Sequence, residues 1–351
     1  NQQYMTILLE DSPLHSGHAG RGIGTYTRQL LTHLSRLHSL TVVAGSWRES
    51  AKTADLVHFP YFDLFSATLP SLRQPIVVTI HDVIPLELKE HYPAGKRGTF
   101  SLWRQKRALR HVSHAITDSE YSKNSIHTQL GVPLETITVV PLAPDPDLHA
   151  PDLEKQEKIR RKYDLPDKYV LYVGDINYNK NIPQLIKAMK FVDESIHVVL
   201  VGRNFRAQSI PEWRAIETQM AMSDVTDRVH FLPDIATGDT AGLASIYAQS
   251  LCYVQPSLAE GFGLPVLDAL QVGTPVIASN RASLPEVGGA VTHYVEPTAE
   301  AMAEAIMQVQ ACSPEKRQAV ISAGQAHAKT FSWDTTARDT ARVYNLVLAQ
   351  K

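Results

Sequence analysis

The feature that most constrains this fold is a repeated alternation of short apolar runs with longer amphipathic segments. Each run is continuously apolar, which is typical of strands buried on both faces of a parallel sheet. The amphipathic segments have the length of crossover helices, which join parallel strands. The fold class is therefore predicted to be α/β, with strands over 4–9, 40–44, 56–59, 76–80, 115–117, 138–140, 169–173, 198–201, 229–232, 251–254 and 275–278.

The alternation is interrupted between residues 143 and 166, where prolines and aspartates precede a charged run. Such a composition is typical of a domain linker. A chain of 351 residues also exceeds what one ordinary core accommodates. We therefore predict two doubly wound, Rossmann-like domains, 1–150 and 151–331, facing each other across a cleft that would hold a ligand. A C-terminal helix over 332–351 follows, and one possibility is that it crosses back to the first domain.

Composition excludes several classes of function. The 34 basic and 36 acidic residues give a net charge of −2, so no global field favours nucleic acid. The two cysteines are too few for a disulfide framework and fit a reducing compartment. No apolar run approaches the roughly 20 residues of a membrane span. We expect a cytoplasmic protein, with the inner face of the membrane as a second location, and neither a metal nor another cofactor.

The strongest site signal lies in the stretch 256–280. Glu260 follows a predicted strand and precedes a turn with Gly261 and Gly263, after which Pro265 marks a helix start. Free N–H groups at such a helix start suit a phosphate or a sugar oxygen. A carboxylate in this loop brings no structural gain that serine or asparagine would not also give. Downstream, Ser283 and Glu286 fit a helix capping box and need no ligand.

Two further polar features belong to the first half of the chain. His81 ends a predicted buried strand beside Asp82, where parallel sheets bind ligands, so we assign it a functional role. Asp118 and Ser119 follow the next strand, and Ser119 fits a helix N-cap. The loop before residue 25 is glycine-rich, but its spacing matches neither a dinucleotide fingerprint nor a P-loop.

Residues 96–110 concentrate positive charge. Projected as a helix, Leu102 and Leu109 share an apolar face, whereas Phe100 and Trp103 fall among the cations. Aromatic residues amid cations suit an anionic membrane surface or a lipid-diphosphate acceptor. A solvated basic face packing on a neighbour is the alternative. The tentative membrane or acceptor residues are Lys96, Arg97, Trp103, Arg104 and Arg107.

Taken together, several motifs resemble the family 4 retaining glycosyltransferases, which use nucleotide sugars and have the GT-B fold. The resemblance covers essentially the whole chain and is specific for the family rather than for a substrate. It rests on AEGFGLPVLDA over 259–269, GTPVIASN over 273–280, SLPEVGG over 283–289, YVGDINYNKN over 172–181, TIHDVIP over 79–85 and FSWD over 331–334.

The resemblance implies roles for the acidic loop. Glu260 matches the first acid of the family's Glu-x7-Glu motif, which contacts the donor sugar. The second acid, which binds the nucleotide ribose, is Asp268 here, one methylene shorter. The resemblance also implies that backbone groups of Gly261, Phe262, Gly263 and Leu264 bind sugar hydroxyls.

The resemblance also implies a cationic site for the diphosphate. Lys180 matches the family's diphosphate-binding lysine, but the basic residue usual just before it is Asn179 here. Arg203 and Arg21 are candidates for the missing charge, and His81 is expected near C6 of the donor hexose. Glu260, His81 and Lys180 form the predicted catalytic set, and the remaining donor-binding assignments are Gly22 and Gly24.

The implied function is transfer of a hexosyl group, with retention, from a nucleotide diphosphate sugar. We expect a GDP-mannose-type donor and a glycan or lipid-linked acceptor of a cell-surface polysaccharide. The first domain would then serve the acceptor and the second the nucleotide sugar. The alternatives are a nucleotide-sugar epimerase and a catalytically silent binding protein.

Overall fold

The computed structural model describes residues 5–17, 22–66, 68–235 and 239–350. They form two compact units: the residues up to Leu142 together with those from Phe331 on, and Ala143–Thr330. Each unit contains one six-stranded sheet, and all strand pairings in the described residues are parallel. The α/β class with two doubly wound sheets is thereby confirmed.

The sheet of the first unit has the strand order β2-β1-β3-β4-β5-β6. Its strands are β1 Met5–Glu10, β2 Leu40–Gly45, β3 Leu56–Phe59, β4 Ile76–Thr79, β5 His114–Thr117 and β6 Ile137–Val139. Every residue of β3, β4 and β5 is buried, as continuous apolar strands require. The helices are α1 Ser12–His15, α2 Gly22–Leu34, α3 Trp47–Ser50, α4 Ile84–Glu87, α5 Gly95–Leu109 and α6 Glu120–Leu130.

The sheet of the second unit has the strand order β12-β11-β10-β7-β8-β9. Its strands are β7 Tyr169–Val173, β8 His197–Val201, β9 Val229–Leu232, β10 Cys252–Gln255, β11 Val276–Ser279 and β12 His293–Val295. The helices are α7 Leu153–Lys162, α8 Ile182–Ala188, α9 Pro211–Ser223, α10 Thr240–Gln249, α11 Leu264–Val272, α12 Leu284–Gly288, α13 Ala299–Gln310 and α14 Pro314–Ala328.

The last helix, α15 Trp333–Leu348, is part of the first unit. Its N-cap is Ser332, whose side chain accepts a hydrogen bond from the backbone N–H of Thr335. The Thr336 hydroxyl donates to the carbonyl of Pro141 at 2.7 Å, and the Tyr344 hydroxyl lies 2.7 Å from His58 Nδ1. Buried polar contacts therefore supplement the apolar face of this helix.

The main differences from the sequence-based prediction are one strand and one helix start. Strand β12 was missed because its residues are half-buried or exposed, so it lacks a continuous apolar run. Helix α2 begins at Gly22, within the glycine-rich stretch that was predicted to be a loop up to residue 25. No helix in the described parts of the chain is long and apolar enough to cross a bilayer.

Candidate functional site

The acidic loop joins β10 to α11 through a turn that only glycine fits well. Gly263 has φ +108°, and a Cβ added there would lie 2.8 Å from Leu284 Cδ2. Helix α11 starts at the next residue, Leu264, with Pro265 in its first turn. The predicted sequence of strand, glycine turn and helix N-terminus is thus present. In the first turn of α11, Pro265 has no N–H, and the N–H of Val266 donates to the Gly263 carbonyl at 2.9 Å.

Glu260 is only 7% exposed, and its carboxylate makes four hydrogen-bond contacts. Lys180 Nζ lies 2.8 Å from each carboxylate oxygen. Oε1 also accepts the Ser257 hydroxyl at 2.7 Å and the Gln255 amide at 2.8 Å. A buried carboxylate needs such partners, because an unpaired one would be strongly unfavourable. The structure therefore brings Glu260 and Lys180 together, as two of the three predicted catalytic residues.

The loop carrying Lys180 follows β7 and is tied directly to the acidic loop. The Asn179 amide donates to the carbonyl of Ala259 at 2.9 Å, and the Asn179 carbonyl accepts from the N–H of Leu258 at 2.7 Å. Asn181, at φ +58°, donates to the carbonyl of Pro256 at 3.0 Å. Asn179 thus replaces the charge expected before Lys180 with a buried structural contact.

Ser283 is the N-cap residue of α12, as predicted, but its hydroxyl does not make the cap hydrogen bond that a capping box requires. Instead its hydroxyl donates to the carbonyls of Glu260, at 2.9 Å, and Phe262, at 2.8 Å. Sequence reasoning missed Ser283, Ser257 and Gln255 as supports of the site, because contacts between separate loops leave no local spacing signal.

Asp268 lies in the middle of α11 and contacts the segment around Asp145 rather than the acidic loop. Its Oδ1 accepts the backbone N–H of Asp145 at 3.2 Å. The Gln271 amide contacts the carbonyls of Asp145, at 2.5 Å, and Leu148, at 3.0 Å. Burial raises the pKa of Asp268 to about 7, with the Asp145 hydrogen bond opposing the shift. The ribose role of Asp268 stays a prediction, and a ribose hydroxyl would have to share this carboxylate with Asp145.

The other predicted donor-binding residues are more dispersed. Arg203 is exposed in the loop after β8. Its neighbour Gly202 allows the ends of β7 and β8 to approach closely, because a Cβ added there would lie 2.0 Å from the Gly174 carbonyl oxygen. Gly22 is the exposed first residue of α2, and Gly24 is buried within it. Arg21 lies outside the described residues.

His81, the third predicted catalytic residue, follows β4 in the first unit and is paired with Asp118. His81 Nδ1 lies 2.7 Å from Asp118 Oδ2, and Nε2 lies 3.2 Å from the carbonyl of Pro60. Burial alone would lower the pKa of His81, but the charge and hydrogen bond of Asp118 outweigh it and raise the pKa. Since a carbonyl only accepts, Nε2 must carry a proton, and a doubly protonated imidazolium satisfies both neighbours.

A buried polar network lies beside this pair. The Tyr26 ring meets His81 edge-on, with ring centres 4.8 Å apart, and the Tyr26 and Thr79 hydroxyls are 2.9 Å apart. Thr79 also contacts His58 Nε2 at 2.8 Å, and His58 is bonded in turn to Tyr344 of α15. Burial lowers the pKa of His58 to about 3, so this histidine is neutral at physiological pH. Sequence analysis overlooked His58 because it lies within an apolar strand.

The predicted helix start after Asp118 is confirmed. Ser119 is the N-cap of α6, and its hydroxyl accepts the N–H of Ser122 at 3.1 Å. Asp118 itself is a partner of His81, a role that the sequence alone did not indicate.

Two relatives illustrate what the chain is similar to in sequence. It is 27% identical over 284 residues to "O-antigen chain mannosyltransferase B" of Escherichia coli, covering 80% of this chain and 72% of that protein. It is 29% identical over 235 residues to "O-antigen chain mannosyltransferase RfbU" of Salmonella typhimurium, covering 66% of this chain and 60% of the relative.

Solved structures agree on the fold across nearly the whole chain. Sucrose-phosphate synthase from Thermosynechococcus elongatus superposes with a TM-score of 0.75 at 20% identity, covering 99% of this chain and 100% of that one. WaaG, described as a glycosyltransferase involved in lipopolysaccharide biosynthesis, gives a TM-score of 0.70 at 15% identity, with 97% and 99% coverage. Both are structural neighbours of the GT-B type, the fold that the resemblance implied.

Two family models match consecutive parts of the chain. "Glycosyltransferase Family 4" matches residues 48–148, which lie in the first unit and the start of the second. "Glycosyl transferases group 1" matches residues 155–327, which contain Glu260 and Lys180. The chain is therefore a member of the family 4, or group 1, glycosyltransferases, with a GT-B fold.

Proposed function

We propose that this glycosyltransferase moves a hexosyl group, with retention, from a nucleotide diphosphate sugar to a glycan or lipid-linked acceptor of a cell-surface polysaccharide. The observation that carries the proposal is the ion pair of the half-buried Lys180 with the buried Glu260, just before the N-terminus of α11. The site combines a cation, a helix N-terminus and a carboxylate at the carboxyl ends of β7 and β10, where α/β sheets bind ligands. The cation suits the leaving diphosphate, and the carboxylate suits the sugar from which it departs.

The proposed reaction breaks the bond between the sugar C1 and the diphosphate oxygen. Negative charge grows on the leaving diphosphate, where Lys180 and the positive end of the α11 dipole are suited to stabilise it. Positive charge grows on the sugar, and the Glu260 carboxylate lies beside Lys180 to offset it. The acceptor oxygen bonds to C1 on the same face, and its proton passes to the departing diphosphate.

His81 is proposed to hold the donor hexose near C6. Of its two contacts, the one to the Pro60 carbonyl is the longer, at 3.2 Å against 2.7 Å to Asp118. A sugar oxygen placed beside Nε2 would share its proton with the Pro60 carbonyl in a three-centre hydrogen bond, while Asp118 keeps the ring in place. Asp118 is thus a positioning residue in this proposal.

The names of relatives favour a GDP-mannose-type donor. Two are O-antigen mannosyltransferases, and the chain is also 26% identical over 294 residues to "MMP alpha-(1->4)-mannosyltransferase" of Mycolicibacterium hassiacum. UDP-glucose is the natural competitor to test, because a structural neighbour with TM-score 0.71, Anabaena Alr3699/HepE, is described in complex with it.

The experiment is a panel of nucleotide sugars incubated with the purified chain without acceptor. We expect release of free nucleotide, fastest from GDP-mannose. Faster release from a UDP-sugar would replace the donor but keep the reaction type. An isomerised sugar would instead support an epimerase, and neither product would support a catalytically silent binding protein.

A further inference from the structure

Helix α5 of the first unit has one buried face and one strongly basic face. Gly98, Gln105 and Leu109 are buried. At ~100° per residue, six other side chains fall within an arc of about 120° on the opposite side. We call these six residues the α5 face: Lys96, Arg97, Phe100, Trp103, Arg104 and Arg107, all of them exposed.

The cations of the α5 face have no carboxylates to neutralise them. Among the described residues, no salt bridge involves Lys96, Arg97, Arg104 or Arg107. The sequence has no Asp or Glu between Glu90 and Asp118, although the chain as a whole carries a net charge of −2. The positive potential here is thus local and faces solvent.

Two large aromatic side chains are exposed among these cations. Phe100 is 60% and Trp103 58% exposed, and their stacked rings lie 5.9 Å apart. By contrast, Trp213 and Trp333 are only 7% and 4% exposed. An exposed apolar pair of this size is characteristic of an interaction surface.

A groove of about 480 Å³ runs beside the α5 face. Apolar Leu69 and Pro70 form one side, and Trp103, Arg104 and Arg107 contribute to the other. The Gln105 amide fixes the groove by donating to the Asp63 carbonyl at 2.7 Å and to the Thr68 hydroxyl at 3.0 Å. The groove therefore combines an apolar wall with cations at its rim, as an anionic amphiphile requires.

We propose that the α5 face docks the protein on an anionic phospholipid bilayer. Lys96, Arg97, Arg104 and Arg107 would contact lipid phosphates, and Phe100 and Trp103 would lie at the level of the head groups. A bilayer fits better than single-stranded RNA, because the cations border a groove with an apolar wall of Leu69 and Pro70, which suits acyl chains rather than a sugar–phosphate backbone. The α5 face shares no residue with the proposed donor site, so the proposal does not rest on the proposed reaction.

The test is flotation of the intact protein with vesicles of phosphatidylcholine containing about 30% phosphatidylglycerol, against pure phosphatidylcholine. We expect binding to the anionic vesicles only, a blue shift of Trp103 fluorescence, and weaker binding in high salt, which screens surface charge. The double variant Arg104→Glu/Arg107→Glu should reduce the bound fraction about tenfold or more.

A matched control distinguishes the effect of a lower net charge from the effect of losing charge on the α5 face. Lys155 and Lys158 are exposed on α7 with the same three-residue spacing, so Lys155→Glu/Lys158→Glu changes net charge equally and should bind like the wild type. Phe100→Ala/Trp103→Ala should also weaken binding, and circular dichroism establishes that each variant is folded. Equal binding to neutral vesicles, an equal loss in the α7 control, no vesicle binding, or RNA binding in its place would each overturn the proposal.

Discussion

The half-buried carboxyl group of Asp268 accepts a backbone N–H from Asp145. Burial raises its pKa from 3.8 to about 7. Because the folded-state pKa is above the unfolded one, its contribution to stability is full below pH 3.8 and is lost as the pH rises through about 7. Ionised Asp268 therefore weakens the folded state in neutral and alkaline solution.

Asp268→Asn should accordingly stabilise the protein, because the amide oxygen still accepts from Asp145 and carries no charge. We expect the free energy of unfolding to increase by on the order of a few kcal/mol near pH 8, and by less near pH 5. Denaturant titration of both proteins at the two pH values measures this. An equal or larger gain at the lower pH would show that burial does not raise the pKa.

His81 gives the opposite residue-scale test, since its charged form is the stabilised one. Its pKa is raised by Asp118 despite burial, so the ion pair contributes fully below the unfolded pKa of 6.5 and is lost as the pH rises through the higher folded value.

Asp118→Asn should therefore destabilise the protein more near pH 6 than near pH 9, by on the order of 1–3 kcal/mol at the lower pH. NMR titration of the His81 ring should show a lower pKa in the variant. The same loss at both pH values, with an unchanged titration, would mean that Asp118 does not hold His81 as a cation.

At the scale of elements, the site depends on how separate loops are joined. The loops after β7 and β10 are linked through Asn179 and Asn181, and the start of α12 is linked to the acidic loop through Ser283. None of these residues bears charge, yet each fixes the backbone that carries Lys180 or Glu260. Precise placement of charged groups contributes strongly to rate, so such supports matter for turnover.

Ser283→Ala should reduce both stability and turnover. Removing its hydroxyl frees the buried carbonyls of Glu260 and Phe262, at a cost of about 1–3 kcal/mol. We expect a lower melting temperature and about a tenfold or greater fall in donor turnover. Ser313→Ala removes an N-cap from α14 and should lower stability by about 1 kcal/mol without changing turnover. Unchanged turnover in Ser283→Ala would exclude a role in the site.

At the scale of the whole molecule, sequence patterns predicted the architecture more completely than they predicted the residues of the site. Continuous apolar runs identified eleven of the twelve strands found in the described residues and failed at β12, whose half-exposed residues have no such run. Glu260 and Lys180 were identified through motifs in separate loops. Gln255, Ser257 and Ser283 were not, because their contacts depend on folding that brings distant loops together. Neither the pairing of Asp118 with His81 nor the contact of Asp268 with Asp145 has a sequence signal.

The most direct test of the donor site compares two lysine–glutamate pairs in the second unit. Lys180 pairs with Glu260 in the site, and Lys187 pairs with Glu300 at the surface, at 3.0 Å. Donor turnover should fall by about a hundredfold or more in Lys180→Ala and in Glu260→Ala, and stay at the wild-type level in Lys187→Ala. Near wild-type turnover in folded Lys180→Ala or Glu260→Ala, or an equal fall in Lys187→Ala, would contradict the assignment.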